Sequence, residues 1–349
     1  MDDNTNNDYC IREYQDGTKF LYINKDIPLN EKIIKEMEKY NAVEFGFKFN
    51  QSVDNLPNNI QYLTFGYSFN QPVDNLPSSL KNLDFKGIYD TSGQFNQPVD
   101  YLPSELQSII FGDVFNQPVN NLPSQLQNLK FGCDFDQPIE NLPSGLKNLT
   151  FSYDSQFNQQ VNNLPSGLEI LQFGVEFNQP VNNLPKRLKH LAFGDESITP
   201  LVNSKNEFNQ PIDNLPIGLQ KLTFGVHSPF NQLVDNLPSG LLILQFGVGF
   251  NQLVNKLPTG LQILTFGDSY NQPCNNLPSE IKILTFGHEF NQLLGDNLPV
   301  ELEELTLGLE FNQPFDNKFP SSLKYLNITT YYDKPLSSIP STVIITRYI

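Results

Sequence analysis

Positive charge is scarce in this chain: 22 Lys and Arg stand against 38 Asp and Glu in 349 residues, a formal charge of -16. A field of that sign repels phosphate backbones and anionic headgroups, so neither nucleic acid nor a membrane surface is expected as a partner. Long apolar runs are missing as well. None approaches the roughly 18 to 20 residues that cross a bilayer, and the opening MDDNTNNDYC has neither the basic flank nor the apolar stretch of a secretion signal. A soluble, cytoplasmic protein is expected. The cysteines are three, Cys10, Cys133 and Cys274. They occupy unrelated positions with no CxxC spacing, which excludes a disulfide framework or zinc knuckle and suits free thiols in a reducing compartment.

The ingredients of catalysis are equally thin. His190, His227 and His288 share no repeat position, no Ser or Cys sits in a Gly-x-Ser-x-Gly elbow, and no glycine-rich phosphate loop is present. Asp90, Asp154, Asp195 and Glu196 lack the Asp-x-Asp-x-Asp-Gly spacing of a calcium loop and read as a solvated edge. No enzyme, cofactor or metal site is expected.

What the chain has in abundance is one repeated unit. Phe-Asn-Gln begins at Phe49, Phe69, Phe95, Phe115, Phe157, Phe177, Phe208, Phe230, Phe250, Phe290 and Phe311, with Phe135 and Tyr270 opening variants, mostly at steps of twenty. Residues 177–194 show a complete unit, FNQPVNNLPKRLKHLAFG. Of 28 Phe, all but Phe20, Phe47, Phe315 and Phe319 occupy this slot or the Leu-x-Phe slot before glycine. A column of identical residues at fixed spacing implies identical residues stacked in space, and a unit with about six apolar side chains cannot offset the entropy of ordering itself alone. Leu149-Thr150-Phe151 alternates with period two and reads as a short strand. Repetition in one sense stacks such strands in parallel. The two prolines between strands leave no room for a long helix.

The expected fold class is therefore an all-β-rich repeat solenoid, a leucine-rich-repeat-like right-handed coil with one parallel β-sheet, an extended convex side and little helix. Its expected organisation is a cap at 1–42 (a strand at 18–23, then a helix capped by Asn30), a solenoid at 43–331 and a degenerate closing repeat at 332–349. The glycine after each strand suits a sharp turn, and the Asn of Phe-Asn-Gln is expected to form an inward ladder between coils.

These residues resemble the FNIP repeat family, named for Phe-Asn-Ile-Pro; this chain carries the Phe-Asn-Gln-Pro version over roughly residues 43–346. The resemblance implies a short relative of leucine-rich repeats, and Leu168, Leu171 and Phe173 reproduce the Leu-x-x-Leu-x-Leu strand segment. The family is typical of social amoebae and of large viruses that infect amoebae, which would place a viral member in the host cytosol. Some members carry an F-box, implying a ubiquitin-ligase partner. Here Ile27-Pro28-Leu29 and the helix after it resemble only the start of one.

Two regions stand out as candidate partner-binding surfaces. Spacing departs from twenty at 86–94, 152–156, 194–207 and 226–229, always between the strand and the next Phe-Asn-Gln, so Tyr89, Asp195 and Glu196 fall on a rim. Recurrent insertion at one corner either carries specificity or marks a corner that tolerates length. On the outward sheet columns, Ile170 and Gln172, then Ile243, Gln245, Ile263, Thr265, Ile283 and Thr285, then Tyr325 are candidates. An apolar strip there reads either as a partner site or as side chains that pair well across strands. The functional expectation is a protein-protein interaction scaffold or adaptor using the concave sheet and rim. The alternative is a structural protein that self-associates through a weakly closed C-terminal end.

Overall fold

Local chemistry bends each repeat at two fixed places. In Leu-Pro-x-x-Leu, proline fixes φ near -65° and its carbonyl accepts from the N–H three residues on, as Leu80 donates to Pro77 and Leu146 to Pro143, both at 3.1 Å. At the other corner the N–H of the Phe in Phe-Asn-Gln donates to the glycine carbonyl three residues back: Phe49 to Gly46 at 3.1 Å, Phe115 to Gly112 at 3.4 Å, Phe311 to Gly308 at 3.2 Å. The short stretch between the corners is the strand.

The computed structural model describes residues 8–14, 17–86, 93–194, 206–294, 298–315 and 319–349. Two compact units divide the chain, Met1–Gln159 with Asn163–Leu168, and Gln160–Asn162 with Glu169–Ile349. In the first, β1 (Tyr9–Glu13), β2 (Lys19–Ile23) and the helix α1 (Glu31–Met37) precede β3 (Ala42–Phe45), β4 (Tyr62–Thr64), β5 (Asn82–Asp84), β6 (Ser108–Ile110), β7 (Asn128–Phe131) and β8 (Asn148–Phe151). From β2 to β8 every neighbour pairs in parallel and in chain order, while β1 lies antiparallel to β2. The second unit holds β9 (Ile170–Phe173), β10 (His190–Phe193), β11 (Lys221–Phe224), β12 (Ile243–Gln245), β13 (Ile263–Thr265), β14 (Ile283–Thr285), β15 (Glu304–Thr306), β16 (Tyr325–Thr329) and β17 (Ile344–Tyr348), all parallel in chain order. Each unit is a parallel β-solenoid with almost no helix, as the repeat implied.

The core is a file of aromatic rings. The Phe65 ring centroid lies 3.7 Å from that of Phe69 within its coil and 5.5 Å from that of Phe85 in the next, the planes nearly parallel in both cases, and the pattern recurs in both units. Every such ring in the repeats is buried, as are the Val column and the strand Leu column beside them, while the Leu before Pro is buried in some coils and half-buried in others, as at Leu102 and Leu164. The one tyrosine in the Phe-Asn-Gln slot shows how tightly that column is specified. Tyr270 brings a hydroxyl into the core, and where other coils have Val or a larger apolar residue at the fourth position on, this coil has Cys274, whose Sγ lies 3.2 Å from the hydroxyl.

The ladder exists, at a half-buried corner. Asn50 Oδ1 accepts from the Asn70 N–H and the Gln71 Nε2, Asn70 from Asn96 and Gln97, and Asn96 from Asn116 and Gln117. In the second unit it runs from Asn178 to Asn291. Asp26 starts the first ladder by accepting from the Asn50 N–H at 2.9 Å and Gln51 at 2.8 Å, which lowers its pKa.

The glycine column has a different cause from the one expected. Among the described glycines only Gly17 and Gly194 have positive φ. What forbids a side chain is the coil below: a Cβ on Gly66 would lie 2.3 Å from the Gly46 carbonyl oxygen, and one on Gly267 would lie 2.1 Å from that of Gly247. Glycine stands on glycine because two backbones meet there.

At the N-terminal side, Asn30 Oδ1 accepts from the Ile33 N–H at 3.1 Å, and Ile33 and Met37 are buried, as are Leu21 and Ile23 of β2. Asn59 Nδ2 donates to the carbonyls of Met37, Glu38 and Tyr40, satisfying the helix's last acceptors.

Candidate functional site

Surface available for recognition is what the core columns do not claim. In register, Ile170, His190, Lys221, Ile243, Ile263, Ile283, Glu304 and Tyr325 form one outward column of the second unit, and Gln172, Ala192, Thr223, Gln245, Thr265, Thr285, Thr306 and Asn327 the other. Strand pairing brings Ile243, Ile263 and Ile283 together on adjacent strands, with Gln245, Thr265 and Thr285 beside them. All six, and Ile170 and Gln172, are half-buried: strand neighbours shield one another, so the strip is flat. Tyr325, 45% exposed, lies two strands beyond Ile283 with Glu304 between them. Tyr89, Asp195 and Glu196 lie outside the described residues.

The outward face is not open throughout. Ala192 and Thr223 are buried on the middle of their column. In the first unit Glu44, in the same column as Thr64, is 3% exposed. Arg12 Nη1 donates to Glu44 Oε1 at 2.5 Å and the Tyr14 hydroxyl to Oε2 at 2.9 Å, with the Arg12 guanidinium over the Tyr22 ring. Burial raises the Glu44 pKa, and Arg12 opposes the shift.

Two of the rim insertions are described, and they share one construction. Where extra residues separate the glycine slot, filled by Ser152 in one insertion and Gly225 in the other, from Phe, the Phe N–H loses its usual acceptor. Ser155 and Ser228 replace it: each turns back through an N–H bond to the residue three before, and each Oγ accepts from the Phe two residues on, Phe157 and Phe230, at 3.3 Å. Asn206 does the same for Phe208 at 3.0 Å while donating to the Phe193 carbonyl. All three are buried. Their role is to hold the coil closed behind the insertion.

An apolar column escaped the sequence reading. Leu233, Leu253 and Leu293 replace the proline of Phe-Asn-Gln-Pro and are 62%, 46% and 61% exposed, in file with the exposed Pro211, Pro273 and Pro314. The signal was present: a residue whose φ is set for the turn gave way three times to one with no turn preference.

Chemical reactivity is low. Burial, assisted by Asp113, pushes the Cys133 thiol up to about 12, and burial alone does the same to Cys274, so neither is a thiolate at neutral pH. Among the described residues no three His, Cys, Asp or Glu side chains gather as metal ligands, and no helix is long and apolar enough to cross a membrane.

The FNIP Repeat family model matches residues 49–87, 95–134, 118–154, 157–196, 273–310 and 311–345. Among solved structures the chain is similar to CroV588, a circular LRR protein, at 36% identity and a TM-score of 0.81 over 98% of this chain. The chain spans about half of that protein, 51% of its length. It is also similar in fold to YopM from Yersinia enterocolitica, at 19% identity and a TM-score of 0.56, over 88% of this chain and 72% of that one. No curated protein matches it.

Proposed function

Because the chain belongs to the FNIP repeat family, whose solenoid is a non-catalytic scaffold, we propose that it binds a partner protein along the outward sheet face of its second unit. The observation that supports this is the contrast between columns. Core positions repeat the same residues coil after coil, while outward ones vary and still place Ile243, Ile263 and Ile283 side by side. Side chains that packing does not dictate are free to be chosen for recognition. A cytosolic setting, and a ubiquitin-ligase subunit as the partner, belong to this reading by family analogy.

Ile263→Asp with Ile283→Asp tests it. Both side chains point away from the core, so the fold is retained, and partner capture from the native cell drops at least tenfold. Capture that is unchanged rejects the sheet face. A second reading rests on the exposed Leu233, Leu253 and Leu293. Leu233→Asp with Leu253→Asp separates the two, because each pair of substitutions should affect only its own surface.

A further inference from the structure

One corner of the second unit departs from its repeat in charge and in polarity at once. The turn after Leu-Pro opens with Ser or Thr in most coils, as in Ser239-Gly240, where the Leu241 N–H donates to the Pro238 carbonyl at 3.1 Å. Two coils earlier the same turn carries Lys186-Arg187, closed by Leu188 on Pro185 at 3.1 Å. The coil between carries Ile217-Gly218, closed by Leu219 on Pro216 at 3.0 Å. These turns lie against one another: a Cβ on Gly218 would stand 3.6 Å from the Lys186 carbonyl oxygen, and one on Gly240 2.8 Å from that of Ile217. Just beyond them Lys189, Gln220 and Leu242 form a file, the Gln220 N–H donating to the Lys189 carbonyl and the Leu242 N–H to that of Gln220, both at 2.8 Å.

Nothing in the packing of the coils calls for these residues. Lys186, Arg187 and Lys189 are exposed, and Ile217 and Leu242 are 78% and 37% exposed. Lys189 pairs with Glu169 at 2.7 Å, while Lys186 and Arg187 have no ion pair among the described residues. On a chain of net charge -16, two unpaired cations at one corner oppose the general field. Val300 is the other apolar residue that opens this turn, and it stands beside Glu301 and not beside a cation.

We infer that this corner binds a short acidic peptide segment of a partner protein, its carboxylates on Lys186 and Arg187 and an apolar side chain on Ile217 and Leu242. Charge sets the sign of the ligand. Lys186 and Arg187 attract Asp and Glu, and Arg187 offers the planar fork that takes a carboxylate with two hydrogen bonds. The rest of the chain repels acid, so the acidic stretch is short and its flanks are neutral or basic. The exposed Ile217 decides between peptide and phosphate, because a nucleic acid or inorganic phosphate brings no aliphatic side chain to cover it. Gly218 and Gly240 leave bare backbone beside Arg187, which lets a segment lie close. Leu242 directly precedes Ile243, so the corner borders the sheet face. The inference goes beyond the sheet-face reading and does not require it.

Fluorescence anisotropy on the full chain, with a labelled peptide of three Asp-Glu-Leu repeats, tests it. The expected result is saturable binding that weakens as salt rises. The same peptide with Ser for each Leu, and an oligouridylate of equal charge, should bind about tenfold more weakly or less. Lys186→Ser with Arg187→Gly installs the residues of the Ser239-Gly240 turn, so the coil is retained, and it should weaken the Asp-Glu-Leu peptide by about tenfold. Ile217→Ser should weaken it by about fivefold. Val300→Ser, and Ile263→Ser with Ile283→Ser, should leave it unchanged. The proposal is overturned by absence of saturable binding, by equal binding of the Ser-substituted peptide or the oligouridylate, or by indifference to the Lys186 and Arg187 pair. Equal loss from Val300→Ser or from the sheet-face pair overturns it as well. Failure of the sheet-face reading appears separately, in partner capture by Ile263→Asp with Ile283→Asp.

Discussion

The first and last coils of this protein solve the same problem unequally. At the N-terminal side, β1, β2 and α1 cover the ring file and the Leu column so that Leu21, Ile23, Ile33 and Met37 are as buried as residues in mid-solenoid. At the C-terminal side the last coil keeps Tyr332 and Val343 buried but leaves Ile344 and Ile345 exposed, with Leu336 and Ile339 half-covered. A solenoid coil takes its stability from neighbours on both sides. The difference teaches that a terminal coil is made stable by a substitute neighbour, and that among the described residues β1, β2 and α1 accompany such burial at the N-terminal side.

The sharpest way to break that contrast is to hollow each end. Leu21→Ala should destabilise the N-terminal coils by about 2–5 kcal/mol, the range for a fully buried Leu, whereas Ile345→Ala, at a side chain already 36% exposed, should cost under about 1 kcal/mol. Hydrogen exchange resolved by strand checks both, since unfolding here is local and not all-or-none. Similar losses at the two ends would remove the asymmetry. Next in size is a rung between the ends: Asn251→Ala leaves the Asn271 N–H and Gln272 without their acceptor, for about 1–3 kcal/mol, read as faster exchange at β13 and β14.

The smallest effect is in pH. Burial raises the Glu44 pKa above its unfolded value, so the stability this group contributes is fully present below the ordinary glutamate value and is lost as pH rises through the raised folded one. Asp26, whose pKa is lowered by its bonds from Asn50 and Gln51, contributes with opposite sign: present above the ordinary aspartate value, lost as pH falls through the lowered one. Protection at β3, taken relative to the intrinsic exchange rate at each pH, should therefore rise on mild acidification. Glu44→Gln should abolish that rise, and protection of the C-terminal strands should not change.

Most of the architecture was legible because it is periodic. The outward columns read from spacing pair in the order expected, strand by strand, and Phe115, Phe135 and Phe157 stand in one file. What was not legible is what occurs once or depends on the coil next door. Tyr9–Glu13 carries no repeat signature, so its antiparallel addition to β2 was missed. The reason for the glycines could not be found within one unit, because the clash that forbids a side chain is with the preceding coil. Ser155 and Ser228 each stand two residues before a Phe, a coincidence visible in the sequence whose meaning needs the lost glycine acceptor to be seen. The Ile243–Ile283 strip was placed correctly, but its half-burial follows from cross-strand shielding that spacing does not report.

Those buried Ser and Asn side chains carry a consequence for engineering. They act as a splice that reseals the coil after foreign length has been let in, and two occurrences with the same two-residue excess show that the device is portable. A loop of chosen sequence grafted at another such corner, for example between Phe266 and Tyr270, should be accommodated when it ends in Ser-x before the aromatic. The same loop ending in Ala-x should loosen the turn that follows.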